Sequence, residues 1–125
     1  AQRESGGAVD EGYVAAFAAI ERDPNNELLV AERAGVVVAA LQLTFTPSLS
    51  YRGSWRATIE SVRTASSLRG RGIGAGLMSF AIERARTRGC ALVQLSTNKQ
   101  RHDAKRFYER LGFVATHEGM KLTLG

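Results

Sequence analysis

The sequence predicts a mixed α/β fold in which helices pack against one β-sheet, with residues 1–125 forming a single domain. Two patterns predict this fold. Apolar residues recur at helical spacing in three segments, and short apolar runs of strand length lie between them. The composition agrees, because 44% of the residues are hydrophobic and 23% are charged, as in an ordinary globular domain rather than a disordered chain.

Three segments have the periodicity of amphipathic helices: residues 10–22, 72–88 and 101–111. Pro24 follows the first helix, while Gly89 and Gly112 follow the second and third at positions where helices end. The second helix begins at a glycine-rich turn, 68–72, and we expect its apolar stripe to be buried against the sheet. That stripe consists of Ile73, Leu77, Met78, Ala81, Ile82 and Ala85.

Six segments have the composition of β-strands: residues 28–32, 36–46, 55–65, 91–96, 113–118 and 120–124. The first two surround residues 33–35, which predicts a hairpin, and the last two surround Gly119, which predicts a second hairpin. The nearly continuous apolar run at 91–96 is typical of a strand in the middle of a sheet. The predicted order is therefore helix, three strands, helix, strand, helix and two final strands.

Cysteine usage and hydropathy exclude several classes of protein. The single cysteine, Cys90, excludes a disulfide scaffold and favours a reducing compartment; we expect it to be a core residue. No apolar run approaches 18 residues and the polar first ten residues do not form a signal peptide, so we expect a cytoplasmic protein without a membrane span. His102 and His117 lack metal-ligand spacing, so we expect no metal.

The basic residues are concentrated in one part of the chain. The net charge is +5, and ten of the 17 basic residues but only three of the 12 acidic ones fall within 69–110. A solvated basic face, a nucleic-acid surface and a site for a multiply phosphorylated small molecule all fit this distribution.

The segment 69–76, Arg-Gly-Arg-Gly-Ile-Gly-Ala-Gly, lies between a predicted strand and a predicted helix. Glycines allow a ligand to approach the backbone, and the N–H groups at a helix N-terminus bind phosphate oxygens. A dinucleotide-binding pattern fits Gly70, Gly72 and Ala75, but no acidic residue follows at the distance that holds a ribose. The Gly-Lys-Ser/Thr ending of a nucleoside-triphosphate loop is missing. A tight turn without a ligand is the remaining alternative.

The string Leu-Arg-Gly-Arg-Gly-Ile-Gly at 68–74 resembles the pyrophosphate-binding loop of the GCN5-related N-acetyltransferase (GNAT) superfamily, whose pattern is Gln/Arg-x-x-Gly-x-Gly/Ala. Arg69, Gly72 and Gly74 occupy the three defining positions. The string Phe-Tyr-Glu-Arg-Leu-Gly-Phe at 107–113 resembles a second signature of the same superfamily. The resemblance covers residues 28–124. It implies a twisted, mostly antiparallel sheet flanked by helices, with a V-shaped opening between the central strands.

The resemblance implies that acetyl-coenzyme A is the cosubstrate. Its pyrophosphate would lie on the backbone of Arg69, Gly70, Arg71, Gly72, Ile73 and Gly74. Its pantetheine arm would pair with the main chain of Val62, Arg63 and Thr64. Asn98 follows the central strand, and Arg101 stands where many members have an asparagine, so both are expected near the cosubstrate. The candidates for its 3′-phosphate are Lys99, Arg101, Lys105 and Arg106.

The resemblance also implies catalytic residues for direct acetyl transfer to an amine. Tyr108 occupies the tyrosine position of the second signature and is the candidate general acid, with a core tyrosine as the alternative. Glu60 is the candidate base, with a substrate-orienting carboxylate or a water-relayed base as alternatives. Strand alternation predicts that residues 60, 62 and 64 share one face. Tyr51 and Trp55 are the candidates for walls of the acceptor site.

The predicted activity is therefore an acetyl-coenzyme A-dependent N-acetyltransferase acting on a small-molecule or peptide amine. A non-catalytic acyl-CoA-binding domain and a basic nucleic-acid-binding module are the rival interpretations, and nucleic acid is not an expected partner. No counterpart of the superfamily's first strand and first helix is apparent ahead of residue 10, and without that strand the strand at 28–32 would have a free edge. A homodimer would cover that edge.

Overall fold

The computed structural model describes residues 11–65 and 72–125. Within them the elements follow in the order α1 (Glu11–Arg22), β1 (Asn26–Arg33), β2 (Val36–Pro47), β3 (Trp55–Thr64), α2 (Ile73–Thr87), β4 (Cys90–Leu95) and α3 (His102–Arg110). The described strands form one four-stranded sheet in the order β1-β2-β3-β4. The predicted mixed α/β fold, with its three helices and first four strands, is confirmed.

Antiparallel pairing joins the first three strands. β1 pairs with β2 from Asn26 opposite Thr44 to Arg33 opposite Val36, which confirms the predicted first hairpin. Its tight turn places Ala34 and Gly35 at positive φ. β2 continues antiparallel to β3, with Pro47 opposite Trp55 at one end.

The hydrophobic core lies between α2 and one face of the sheet. The largest fully buried side chains are Phe45, Leu41, Leu43 and Met78. Their alternation along β2 places the odd-numbered residues 41, 43 and 45 on the helix side. Of the predicted stripe of α2, Leu77, Met78, Ala81 and Ala85 are buried, whereas Ile73 and Ile82 are partly exposed. Helix α1 differs: it forms over the predicted segment, but none of its residues is buried and Tyr13 is 68% exposed.

The chain divides into two compact units, Ala1–Gln94 and Leu95–Gly125. In the second unit α3 is followed by residues 111–125, none of which forms a strand. The predicted hairpin of 113–118 and 120–124 is therefore wrong. Side chains of the expected strands are exposed, including Met120 at 93% and Leu122 at 86%. An alternating pattern becomes a strand only when a neighbouring backbone pairs with it, and this segment has no such partner among the described residues.

An ion-pair cluster links the C-terminal end of α2 to β1. Arg84 Nε donates to Glu27 Oε1 at 3.0 Å, and its Nη2 donates to Glu27 Oε2. Arg88 Nη1 lies 3.7 Å from the same carboxylate, and the Arg88 guanidinium stacks 4.0 Å above the Phe45 ring centroid. Glu27 is thus the shared anion of two arginines that cover the edge of the core.

We expect Glu27→Ala to lower the free energy of unfolding by about 1–3 kcal/mol, because it leaves two partly buried guanidinium groups without their anion. Glu83→Ala is the matched control, since Glu83 pairs with Arg86 where both side chains are about two-thirds exposed. That exposed pair is expected to contribute less than about 1 kcal/mol. Urea unfolding measures both changes, and equal losses would contradict the assignment of Glu27.

Candidate active site

The face of the sheet opposite the core is polar. On β3, Ala57 and Ile59 are buried toward the helix, whereas Arg56, Thr58 and Glu60 alternate with them and lie on the other face. Their partners on β2 are also polar: Thr46, Thr44 and Gln42. We call these six residues the polar sheet face. Because both strands contribute to it, this surface is a place where a polar molecule can make several hydrogen bonds at once.

Hydrogen bonds fix several side chains at the two sides of the polar sheet face. Asn26 Oδ1 accepts from Gln42 Nε2 at 2.9 Å and from Thr44 Oγ1 at 2.8 Å. Toward β4, Gln94 Nε2 donates to Thr58 Oγ1 at 3.1 Å. Sequence reasoning missed Gln42 and Thr44, although polar residues at alternate positions of an otherwise apolar strand were a signal for them.

Glu60 is exposed on the polar sheet face opposite Gln42. Within the described residues its carboxylate has no ion-pair or hydrogen-bond partner. An exposed, unpaired carboxylate can accept a proton or a hydrogen bond from a bound molecule. Its role as the base stays a prediction.

A β-bulge follows Glu60 and changes the predicted face. Glu60 pairs with Gln42, but the next residue of β3 with a β2 partner beyond the bulge is Arg63, opposite Ala40. Ser61 lies in the left-handed region, with φ 56°. The prediction that residues 60, 62 and 64 share one face is therefore wrong, because one extra residue shifts the alternation by one position.

The bulge bears on the predicted contacts of the pantetheine arm. Ser61 and Val62 have no register partner on β2, while Thr64 pairs with Ala39 and the N–H of Ala65 donates to the Val38 carbonyl at 2.8 Å. A bulge leaves backbone groups outside the ladder, where a ligand can use them. Contacts of Val62, Arg63 and Thr64 with the arm stay a prediction.

The glycine-rich turn is described only from Gly72 onward; Arg69, Gly70 and Arg71 lie outside the described residues. Gly72 is the N-cap of α2, at φ 80° and ψ 0°, and its carbonyl accepts from the N–H of Gly76 at 3.0 Å. Among the described residues no side chain caps this end of the helix, and no acidic residue lies in its first turn. The first-turn N–H groups, among them those of Ile73 and Gly74, therefore suit an anion electrostatically.

We expect Gly72→Ala to lower the free energy of unfolding by about 1–2 kcal/mol, because a side chain is disfavoured at this positive φ. Gly76→Ala is the matched control within the same helix. There φ is ordinary and nothing described lies within 4 Å of an added Cβ, so alanine should stabilise by about 0.5–1 kcal/mol. Urea unfolding of both variants measures the difference, and two changes of the same sign would refute this account of the N-cap.

In the second unit, Tyr108 lies half-buried on α3. Its ring meets those of Phe107 and Phe113 edge to face, at centroid distances of 5.3 and 6.1 Å. Burial raises the pKa of Tyr108, although the positive charge of Arg101 acts in the opposite direction. The phenol is therefore protonated at neutral pH, which is what a proton donor requires.

The turn before α3 contains Asn98 and Arg101. Asn98 Oδ1 accepts from the N–H of Gln100 at 2.9 Å, and the Asn98 carbonyl accepts from the N–H of Arg101 at the N-cap. Asn98 is thus engaged in shaping the turn. The candidate bases for the 3′-phosphate, Lys99, Arg101, Lys105 and Arg106, are all exposed.

The loop between β2 and β3 carries the two candidate acceptor-site aromatics. Tyr51 is 63% exposed at φ 51°, and its carbonyl accepts from Ser54 Oγ at 2.6 Å. Trp55 begins β3 and is 37% exposed. Both rings are accessible to a ligand, and their role as walls of the acceptor site stays a prediction.

Cys90 and the two histidines contribute no separate site. Burial raises the pKa of the Cys90 thiol, with the charge of Arg88 acting in the opposite direction, so the thiol is a poor nucleophile. Across residues 11–65 and 72–125, no group of three His, Cys, Asp or Glu side chains could hold a metal ion. In the same ranges no helix is long and apolar enough to cross a membrane.

In the four-stranded sheet the first three strands are antiparallel, one face is covered by α2, a helix that begins at a glycine, and the other face is polar. This arrangement agrees with the sheet and flanking helix that the resemblance implied, and together with the two motifs it indicates an acetyltransferase. The chain belongs to the acetyltransferase (GNAT) family, whose profile matches residues 2–113.

Two curated relatives are enzymes of this kind. The aminoalkylphosphonate N-acetyltransferase of Salmonella typhimurium is 39% identical over 101 residues, which are 81% of this chain and 65% of that protein. The glucosamine 6-phosphate N-acetyltransferase of Trypanosoma brucei brucei is 33% identical over 90 residues, 72% of this chain and 59% of that protein. The chain thus spans about three-fifths of the length of these relatives.

A solved structure from Bacillus halodurans C-125, described as a transcriptional regulator, is 59% identical to this chain. It superposes with a TM-score of 0.91 and covers 93% of this chain and 77% of its own. The likeness supports the fold over nearly the whole chain.

Proposed function

We propose that the protein transfers the acetyl group of acetyl-coenzyme A to a primary amine by direct attack, with both substrates bound together. The observation that carries the proposal is membership of the acetyltransferase (GNAT) family, in which the two curated relatives are N-acetyltransferases. The glycine-led N-terminus of α2 supports a pyrophosphate site, because no side chain of the described residues caps it.

Direct transfer needs a neutral amine, a polarised thioester carbonyl and a proton for the departing sulfur. In the proposed mechanism Glu60 accepts a proton from the bound ammonium group, directly or through water. The amine nitrogen then attacks the thioester carbon, the C–S bond breaks and Tyr108 donates its proton to the thiolate. The attacking nitrogen loses its second proton to water as the amide forms, Glu60 returns its proton to water and the Tyr108 phenolate takes one back. The products are therefore the N-acetyl amide, coenzyme A and one proton. Burial raises the pKa of Tyr108, so the phenol remains protonated and has a proton to donate.

The acceptor is proposed to be a small amine. The names of the two curated relatives both describe acceptors that combine an amine with a phosphonate or phosphate group. The polar sheet face, with its hydroxyl and amide groups beside Glu60, supports a polar acceptor of that size.

Thiol release from acetyl-coenzyme A tests the activity, with amino acids, aminophosphonates, amino sugars, aminoglycosides, polyamines and peptide N-termini as acceptors. We expect amine-dependent release together with a rise of the melting temperature in acetyl-coenzyme A. Stabilisation by acetyl-coenzyme A without release for any acceptor would favour the acyl-CoA-binding alternative. Stabilisation by duplex DNA alone would favour the nucleic-acid-binding alternative.

A further inference from the structure

Among the described residues, Arg56 on the polar sheet face has no anionic partner. The side chain is partly buried, and its Nη1 donates to Ser48 Oγ at 3.1 Å. Its Nε is buried and has no hydrogen-bond partner among the described residues. Nor does any described carboxylate lie within ion-pair distance of it.

Other partly buried arginines of the same unit are paired. Arg84 and Arg88 both contact the carboxylate of Glu27, on the helix side of the sheet. Arg56 lies on the other face, where its register partner Thr46 brings no charge. The unpaired state of Arg56 therefore sets it apart from these two arginines.

An unsatisfied N–H and an uncompensated charge in a partly buried place are both unfavourable. An anion with several acceptor oxygens relieves both, because a guanidinium group binds such oxygens through two parallel hydrogen bonds. The missing partner of Arg56 thus has the chemistry of a phosphonate, phosphate or carboxylate.

The distance between Arg56 and Glu60 limits the length of a molecule that contacts both residues. They are four residues apart on the regular part of β3, before the bulge, so their Cα atoms lie about 13 Å apart on one face. Thr58 lies between them and places a hydroxyl along the path. Arg56 Nη1 is held toward Ser48, at the loop end of this face, so the guanidinium must turn across Thr58 for one small molecule with an amine and an anion to contact both Arg56 and Glu60.

We propose that Arg56 binds the anionic group of the acceptor while the amine lies at Glu60. The acceptor is then a small molecule that carries both an amine and an anion. This inference rests on the proposed acetyl transfer and assigns the residue that selects its acceptor.

The test compares 2-aminoethylphosphonate, β-alanine and propylamine, which has no anionic group, as acceptors for the wild type, Arg56→Met and Arg56→Lys. We expect KM of Arg56→Met for 2-aminoethylphosphonate to rise about 10- to 100-fold, as for the loss of hydrogen bonds to a charged group. KM for propylamine should stay unchanged, and Arg56→Lys should restore part of the loss. The ratio between 2-aminoethylphosphonate and β-alanine tells a phosphonate site from a carboxylate site.

Arg33→Met, which removes an exposed arginine at the end of β1, is the control and should match the wild type. Equal changes of KM for amines with and without an anionic group in Arg56→Met would overturn the anion site while leaving acetyl transfer intact. If no amine is acetylated, the proposed function fails, and calorimetric binding of 2-aminoethylphosphonate to wild type and Arg56→Met still tests the anion site. Equal binding to both proteins, or none to the wild type, overturns it.

Discussion

Tyr108→Phe is expected to lower kcat about 100-fold or more while leaving the Kd of acetyl-coenzyme A nearly unchanged. The variant removes only the hydroxyl group. The ring keeps its edge-to-face contacts with Phe107 and Phe113, so the local packing of α3 is retained. A lost proton donor should therefore affect the chemical step and not binding.

The measurement is steady-state thiol release combined with calorimetric binding of acetyl-coenzyme A. Tyr13→Phe, in the exposed helix α1, is the matched control and should keep wild-type kcat. An unchanged kcat in Tyr108→Phe would remove this residue as the acid and favour a core tyrosine.

The pH profile provides a second readout for the same residue. Because burial raises the pKa of Tyr108, the phenol stays protonated beyond the ordinary tyrosine value of about 10. The loss of kcat caused by its ionisation is therefore expected on the alkaline side of that value, where the phenolate can no longer donate. This decrease of kcat at alkaline pH should be missing in Tyr108→Phe.

The second large effect is expected for Glu60→Gln, which should lower kcat about 100-fold at neutral pH. Glutamine has nearly the same shape as glutamate but does not accept a proton from an ammonium group. The loss should shrink as the pH rises, because a growing fraction of the amine is then neutral before it binds. Thiol release measured from neutral to alkaline pH follows this convergence.

Glu32→Gln is the matched control, since Glu32 is an exposed glutamate of β1 and should show wild-type kcat at every pH. A Glu60→Gln variant with a raised KM, an unchanged kcat and the same defect at all pH values would identify an orienting carboxylate instead. A water-relayed base predicts the same convergence as a direct base.

Local sequence patterns were sufficient to predict most of the helices and strands. The stripe of α2 is predicted well because helical periodicity over 15 residues is encoded within the segment itself. The prediction of the terminal hairpin was wrong because a strand also needs a partner strand. The alternating pattern in residues 113–124 does not indicate whether such a partner is present. Helix α1 lies between these cases: its periodicity predicts the helix correctly but not the exposure of Tyr13 and Phe17.

The same distinction between local patterns and long-range contacts applies to the candidate active site. The motifs at 68–74 and 107–113 were enough to indicate the family, because each is a contiguous string with a chemical purpose. The bulge at Ser61 left no such signal, since one extra residue in β3 is visible only against the register of β2. Alternation alone therefore assigned Val62 to a face on which the register places Arg63.

The sequence by itself thus determined the mixed α/β class, the helices and first four strands, and the acetyltransferase resemblance. Only the tertiary structure decided that Gln42, Thr44 and Thr58 form one surface with Glu60, and that Arg56 has no anionic partner within residues 11–65 and 72–125. The physical reason is that periodicity and motifs are properties of neighbouring residues. Strand register and the pairing of a buried charge depend instead on residues far apart in the chain.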